Sequence, residues 1–594
     1  MRGVGRQLVP ASIVLVTALV FLPVLRNDFV SWDDLHMFPG NPHYRGLGRE
    51  QLVWMWTTFH VYEFMPFTWM TYGADYLLWG LDPSGYHLTN LLLHLAATLA
   101  VYGLVTHLLR SGAGSDPTLR GNGVRLAAGL ATLLFAIHPL RAEPVAWVSA
   151  RGSILGGLFL VLTTWAHLRA CDGPRLRRGW YAGALGLFVL ALLSRSTSIV
   201  LPVVLTVLDV YPLRRLGGGA GRRLGAAVRH VWLEKVPYVL LALPILPLAL
   251  AARFQSKPTA LPSLGDVLTG VAVACYGLVF YLKKTFLLGS FSPLYERPPQ
   301  LSPWQWPFAV SAAAVLAISV VLLALRRRWP AGQAAWVSYV ALLLPTLGIL
   351  RFGLQMAADR YTYVAGLGWT ILVGAGALAW YDARRQGTIG RPAWVTSLGL
   401  TLGVLVGLGV LTWSQVQVWR DSKTLWTHVA TVQPGSAVAQ LNLGLLLEEG
   451  GDLAGATEHY RRAVAAWPAD ERVHTNLGRI LVRQGRLAEA LPAFERAVAL
   501  RPSSETHLKL GRALVAQGRL ADGIAHYHEA LRLRPESPGI HYTLGLALAA
   551  GGRLAEAVEH YRAALRLEPG FREAEAELDG TLQRLGAIAG ARGR

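Results

Sequence analysis

Long apolar runs separated by short polar breaks fill the first 430 or so residues, after which the pattern becomes amphipathic and stays so to the end. Runs of spanning length fall at about 8–25, 87–109, 123–138, 153–169, 179–194, 198–213, 236–252, 266–289, 306–325, 332–350, 361–381 and 393–413. A helix needs roughly 20 apolar residues to cross a hydrocarbon core about 30 Å thick, and these runs approach that length. Lipid offers no partner to an unpaired backbone group, so each must be helical. The pattern predicts an all-α chain whose first part is a polytopic membrane bundle.

The amphipathic part repeats itself. Glycines 444, 478, 511 and 545 recur at intervals of 33 or 34 residues, and so do prolines 468, 502, 535 and 569. Small residues at 456, 490, 523 and 557 and rings at Tyr460, Phe494, Tyr527 and Tyr561 keep the same step. This is the tetratricopeptide pattern, in which helix-turn-helix units stack into an α-solenoid. The predicted organisation is a membrane domain over 1–414 with a first loop at 26–86, a linker at 415–436, four repeats over 437–571, and a capping helix and tail at 572–594. Asn442 and Asn476 hold equivalent inner-helix positions and are candidates to bind the backbone of an acceptor protein or peptide, with simple solvation as the competing use.

Charge adds an orientation. The formal net charge is +20, but residues 1–434 carry 36 Lys+Arg against 17 Asp+Glu, whereas 435–594 carry 20 against 19. The excess sits in short loops between apolar runs, as the positive-inside rule expects, and this argues against nucleic acid as a partner. Arg-bearing connections at 110–125, 169–178, 214–235, 326–328 and 384–391 are assigned to the cytoplasm. Twelve full crossings would put two of these on opposite sides, so one run must fail to cross. Lys283 and Lys284 select 266–289 as a re-entrant or interfacial segment, because a cation at bilayer depth costs about 2.5–3.5 kcal/mol. About eleven spans remain, with the N-terminal run an uncleaved anchor and the repeats extracytoplasmic, as in a bacterial inner-membrane protein. The two cysteines, Cys171 and Cys275, provide no disulfide framework.

This topology gathers polar residues on one outer face: Asp33, Asp34, His138, Glu143, Arg151, Arg195, Asp359 and Arg360. Ionisable groups near membrane depth mark a functional cavity by default, although each could also pair structurally. The loop 26–86 is rich in aromatic residues, which suit an interfacial belt. A lipid-linked sugar phosphate fits such a face: a carboxylate takes the acceptor's proton and cations hold the departing phosphate. In "HPLRAEP" the prolines make a tight turn, and Glu143, Trp147 and Arg151 follow at helical spacing. A divalent metal held by Asp33 or Asp34 with histidines 36, 43, 60 and 138 ranks below a metal-free base, since no ligand spacing supports it.

The strings "FVSWDD", "WMTYGADYLLWGLDPSGYHLTNLLLH", "AIHPLRAEPVAWVSARGSILGGLF", "SRSTSIVLPVVLTVLDVYPL" and "QMAADRYTYVAGLG", in that order ahead of the repeats, resemble the transmembrane and tetratricopeptide-repeat-containing O-mannosyltransferases. The resemblance implies a C-type glycosyltransferase fold, a polyprenyl- or dolichyl-phosphate sugar donor carrying a mannose-like sugar, and an acidic motif in the first outer loop. Asp33 and Asp34 fall on that motif, His138 and Glu143 on the "HP...E" motif, and Arg360 on "ADRY". The expected roles are catalytic for Asp33, Asp34 and Glu143, and donor-phosphate binding for Arg151, Arg195, Arg360 and His138. Gly152 and Ser153 stand where the family usually shows an acid, and Met65 where relatives tend to carry a polar or basic residue. The reading is thus a membrane glycosyltransferase with no certain cofactor, acting on a lipid-linked donor and on Ser or Thr of an exported protein. Its rival is a non-enzymatic scaffold that organises an envelope complex.

Overall fold

The computed structural model describes residues 4–112, 119–173, 175–216, 228–254, 263–298, 301–348 and 355–592. The loop pieces 113–118, 217–227 and 351–354 and the predicted loop residue Pro299 lie outside the described residues. Two compact units make up the chain, Met1–His428 and Val429–Arg594.

In the first unit every apolar run read from the sequence contains helix. Seven helices among the described residues are long and apolar enough to cross a membrane, or nine if each of two bent pairs is one span. One bend, of 59°, separates Gly121–Ala136 from Pro139–Ala146. Pro139 lacks the N–H needed to continue the helix, and the preceding residue, His138, is extended. The other, of 48°, separates Asp359–Ala365 from Leu367–Arg385. The run at 236–252 is interrupted near Pro244 and yields Val236–Ala242 and Ile245–Phe254. The described residues also contain one short antiparallel ladder, Tyr295–Glu296 against Gln355–Ala357.

The segment expected to be re-entrant is instead one unbroken helix, Leu264–Leu287. Its two lysines fall in or beside the last turn, so they need not lie at bilayer depth. Lys283 is exposed, and the Lys284 ammonium is held by Ser290 O and by the rings of Phe280, Phe291 and Tyr295 at 5.0–5.3 Å. The aromatic loop also departs from a simple belt. Trp69, Tyr72 and Tyr86 are fully buried with Phe38 and Tyr44 in a core of their own, leaving Trp56, Tyr62 and Trp79 exposed.

The second unit is built from four helix pairs: Ala437–Glu449 with Leu453–Ala466, Glu471–Arg483 with Leu487–Leu500, Ser504–Ala516 with Leu520–Leu533, and Pro538–Ala550 with Leu554–Leu567. The long helix Arg572–Arg592 closes the stack. The periodic glycines have a steric cause: a Cβ on Gly444, Gly478, Gly511 or Gly545 would stand 2.5–2.8 Å from the ring of Tyr460, Phe494, Tyr527 or Tyr561. Ring and glycine therefore set how closely the two helices of a pair approach.

Candidate functional site

One end of the first unit is assembled on the extended segment that follows the first helix. Asn27 Nδ2 donates to Val416 O at 3.2 Å, the Asp28 amide to Arg420 O at 2.7 Å, and the Ser31 amide to Ser422 Oγ at 2.8 Å. Trp426 donates to Ser31 Oγ at 3.0 Å and stacks on Trp32 with ring centroids 5.0 Å apart. Residues nearly 400 positions away thus hold the segment that presents Asp33 and Asp34.

These two acids have different surroundings. Asp34 is buried and its carboxylate accepts three hydrogen bonds: Oδ2 from the Val30 amide at 3.2 Å, and Oδ1 from both the amide (3.0 Å) and the hydroxyl of Ser149. Burial nevertheless pushes its carboxyl up to about 7. Asp33 is only half-buried, and among the described residues its carboxylate accepts no hydrogen bond. Burial raises its pKa above the ordinary 3.8, opposed by the charge of Arg360.

Arg360 is the centre of the cationic side. Its amide donates to Glu143 Oε2 at 3.0 Å, Nη1 binds Glu143 Oε1, and Nη2 reaches Gln355 Oε1 at 3.2 Å. The guanidinium also lies 5.0 Å from the ring centres of both Trp147 and Tyr361. Glu143 is buried and spent on this contact, so the geometry makes it a positioning residue for Arg360. Arg195 hydrogen-bonds the Ser153 hydroxyl and lies 5.9 Å from the Tyr361 ring. Arg195 and Arg360 line one narrow cleft together with Ser153, Gly156, Gly157, Tyr361 and Tyr363. The glycines admit this closeness: a Cβ on Gly157 would meet Tyr363 at 2.5 Å, and one on Gly156 would meet Arg195 Cβ at 3.0 Å.

Leu160, Leu342 and Val364 line this cleft and also a second, apolar cavity of about 550 Å³. That cavity continues along Leu104, Val204, Leu208 and Ile371 to Tyr211 and Asp382.

Two of the expected phosphate ligands are placed elsewhere. Arg151 is fully buried; Nε donates to Asn90 Oδ1 at 2.7 Å, Nη2 to Tyr86 O at 3.0 Å, and Nη2 pairs with Asp75 Oδ2 at 2.5 Å. Helical spacing from Glu143 does not hold either, because the chain is extended at Trp147 and a new helix begins at Arg151. His138 has both ring nitrogens occupied, Nδ1 accepting from the Leu140 amide at 3.2 Å and Nε2 lying 3.1 Å from Thr285 O. It shapes the bend and has no nitrogen left for a ligand. Asp75, Ser153, Trp147 and Tyr361 were not singled out as site-forming in sequence, and only Trp147 gave a signal, by its spacing from Glu143.

His43 stacks on Trp54 and His60 packs against Trp54 and Trp69, so neither joins the acids. One group among the described residues, His167, Cys171 and Glu234, brings three ligand atoms within 4.8 Å of one another. It lies at the opposite end of the helix Arg151–Ala170, and cations already fill it. Lys235 Nζ is 3.3 Å from His167 Nε2 and 2.5 Å from Asp209 Oδ2, and Arg215 reaches Asp209 at 2.9 Å and Glu234 at 2.6 Å. In the second unit, Asn442 Nδ2 donates to Val438 O at 2.8 Å, and Asn476 Oδ1 accepts from Arg479 at 3.4 Å. Both asparagines are half-buried, each with amide capacity left over.

A tetratricopeptide repeat model matches residues 419–471, 441–505 and 508–570. The solved structure of YrrB, a tetratricopeptide-repeat protein with a peptide-binding site, is 20% identical, covers 26% of this chain and 80% of that one, and has a TM-score of 0.25. Mouse "Protein O-mannosyl-transferase TMTC4" is 24% identical over 455 residues, 67% of this chain and 57% of that protein. Human "Protein O-mannosyl-transferase TMTC3" is 22% identical over 69% of this chain and 45% of its own length. The Drosophila melanogaster protein Tmtc3, of the same description, is 30% identical over 26% of this chain and 18% of its own. The matched stretch thus spans little more than half of the mouse protein and less than half of the other two. Its homologues are the transmembrane, repeat-bearing O-mannosyltransferases that the ordered motifs resemble.

Proposed function

We propose that the protein transfers a mannose-like sugar from a polyprenyl-phosphate donor to a hydroxyl of an exported protein at the outer membrane surface. What carries this reading is that the cleft bearing Arg195 and Arg360 shares Leu160, Leu342 and Val364 with the 550 Å³ apolar cavity. A lipid phosphate has the same two parts. The prenyl chain takes the cavity and the phosphate takes the arginines, with Arg195 swinging off Ser153 to open the narrow cleft.

In the proposed step, the acceptor oxygen attacks the anomeric carbon while the bond from that carbon to the phosphate oxygen breaks. Asp33 takes the hydroxyl proton, because its carboxylate accepts no hydrogen bond among the described residues whereas that of Asp34 already accepts three. Arg360 and Arg195 hold the charge that develops on the phosphate. Asp34 fixes the loop to Ser149, and Glu143 fixes Arg360, so both act through their neighbours. No residue of this site is reserved for a metal.

The same contacts, taken with the loop charges, support a reading of the membrane side. Thr285 meets His138, which puts the end of Leu264–Leu287 beside the site. Asp209, Glu234 and Lys235 meet at the far, cytoplasmic end near His167. If Leu264–Leu287 crosses, the run that begins at 236 returns to its own side, and the non-crossing segment moves there from 266–289. Eleven crossings then place the chain leaving the bundle near Trp426 on the site's face.

The test is to supply labelled polyprenyl-phosphate sugars to the purified protein with an exported acceptor and to follow label into protein. Transfer that is lost in Asp33→Asn supports the proposal. No transfer from any donor, with Asp33→Asn indistinguishable from the parent in cells, would favour the scaffold.

A further inference from the structure

The last two repeats carry a histidine constellation that sugar transfer does not use. His507 and His526 face each other across the two helices of the third repeat with their Nδ1 atoms 3.0 Å apart, and His541 and His560 do the same in the fourth. In both pairs the ring centres lie 5.3 Å apart, so the two nitrogens point at each other. His541 also donates from Nε2 to Pro535 O at 3.2 Å, because a carbonyl can only accept. That bond leaves its Nδ1 with a lone pair aimed at His560. Further ligating groups stand around each pair at matching repeat positions. One helical turn before the second histidine lies an acid, Asp522 before His526 and Glu556 before His560. The preceding repeat adds Glu495, near enough to His526 to act on its charge, and His528, whose ring centre is 6.0 Å from that of His560. The first two repeats lack the set: one pairs Gln440 with His459 at 2.7 Å, and the other has Ala493 at the position that matches His526.

We propose that each histidine pair is the core of a Zn²⁺ site, completed by Asp522 and Glu495 around His507 and His526 and by Glu556 and His528 around His541 and His560. Imidazole and carboxylate are ordinary zinc ligands at about 2.0–2.2 Å, and four of them are held tetrahedrally. Two nitrogens on one such ion lie roughly 3.3 Å apart, a few tenths of an ångström beyond the present separation. Both rings tilt so that their lone pairs converge beside the line between them, whereas a shared proton fits the line itself. His560 then carries its proton on Nε2 and presents Nδ1 to the metal. The Pro535 carbonyl held by His541 is the kind of outer contact that fixes the tautomer of a metal-ligating imidazole. Asp522 and Glu556 are now paired with Arg519 and Arg553 at 2.7 Å, and such exposed pairs are weak enough to give way. Mixed nitrogen and oxygen ligands select Zn²⁺ over Mg²⁺ and Ca²⁺, which take oxygen. Each ion ties together the two helices of its repeat and reaches back to the repeat before it, so binding adds to the stability of the repeat unit. This binding does not rest on sugar transfer, and a chain inactive with every donor would still show it.

The test uses the full-length protein in detergent, without a histidine tag and stripped of metal with EDTA near neutral pH. Zn²⁺ is added, the excess is removed by gel filtration, and the metal that stays with the protein is measured by atomic absorption. The parent should retain about two more zinc ions per chain than His526→Gln with His560→Gln, one for each pair. His459→Gln, outside the set, should retain as much as the parent. Zn²⁺ should raise the melting temperature of the repeat unit in the parent and leave that of the double histidine variant where it was, because a ligand that binds only the folded state stabilises it. Melting in EDTA shows whether each variant folds. Asp522→Asn with Glu556→Gln keeps both histidine pairs and removes only exposed acids, and it should bind Zn²⁺ at least about tenfold more weakly in competition with a coloured chelator. Equal zinc content in the parent and the double histidine variant would overturn the proposal and leave the pairs as proton-sharing contacts only. So would a melting shift that Mg²⁺ reproduces, a loss of zinc in His459→Gln, or an unchanged affinity in the acid variant.

Discussion

Asp33 and Asp34 differ by one position and by the number of donors that reach them. A proton acceptor must have a lone pair to offer, so Asp33→Asn is expected to lower transfer about 10²- to 10⁴-fold, with an unchanged melting temperature as the control. Because burial raises the Asp33 pKa and the base must be ionised, activity should climb with pH through a midpoint above 3.8. Asp33→Glu should move that midpoint, and a rate profile flat to pH 4 in the parent would exclude Asp33 as the base. Arg151 makes the opposite prediction. Removing one member of a buried ion pair leaves the other charge uncompensated, so Arg151→Met should cost about 3–5 kcal/mol of stability, measured by denaturant or thermal unfolding in detergent. The sequence groups Arg151, Arg195 and Arg360 with the two acids on one expected face. It could not show which cation was already taken, because Asp75 lies 76 positions before Arg151 and nothing in either string marks them as partners. His138 was misread for the same reason: its two hydrogen-bond partners are visible only once the bend is formed.

Helices and turns were more legible than roles. Every apolar run contained helix, and the 33- to 34-residue period fixed the repeats, because both signals come from local spacing. The re-entrant or interfacial reading rests on hydropathy, which registers two lysines in an apolar run without registering that they occupy its end, in reach of a carbonyl and three rings. Two predictions belong to this scale. Gly157→Val should drive the helix Arg151–Ala170 off Tyr363, and the expected result is lost transfer with the repeats still folded, seen as loss of activity with the thermal transition of the repeat unit unchanged. In the repeats, His541 and His560 meet with their Nδ1 atoms 3.0 Å apart and ring centres 5.3 Å apart. This is a head-to-head hydrogen bond that tolerates one shared proton and not two. Burial and the neighbouring His541, with His528 and Arg553, push His560 down to about 4, with Glu556 opposing. A histidine with a lowered folded-state value contributes stability present above its unfolded value of 6.5 and lost as pH falls toward 4. The repeat unit should therefore melt at lower temperature near pH 4.5 than near pH 7, and His541→Phe should reduce that difference; equal differences in both proteins would refute the account.

At the level of the whole molecule, the parity of crossings is the quantity to measure. With twelve apolar runs, a site on the outer face would require one run to return to its own side, and the proposed topology gives that return to the stretch beginning at 236. Single cysteines placed at residue 263 and near residue 295, on either side of the helix Leu264–Leu287, in a protein lacking Cys171 and Cys275, should be labelled by an impermeant thiol reagent only from opposite sides. Labelling of both from one side would mean that Leu264–Leu287 does not cross. The sequence fell short here because loop charges constrain parity without saying which segment satisfies it.

The clasp between Asn27, Asp28 and Ser31 and the stretch from Val416 to Trp426 bears on how the protein can be dissected. Cutting at 414, where hydropathy suggests the bundle ends, would strip away the brace that presents Asp33. A fragment stopping there would keep its helices and forfeit its chemistry. The smallest piece worth testing for transfer runs to His428 or beyond, and shorter truncations that prove inert would say nothing about what the repeats contribute.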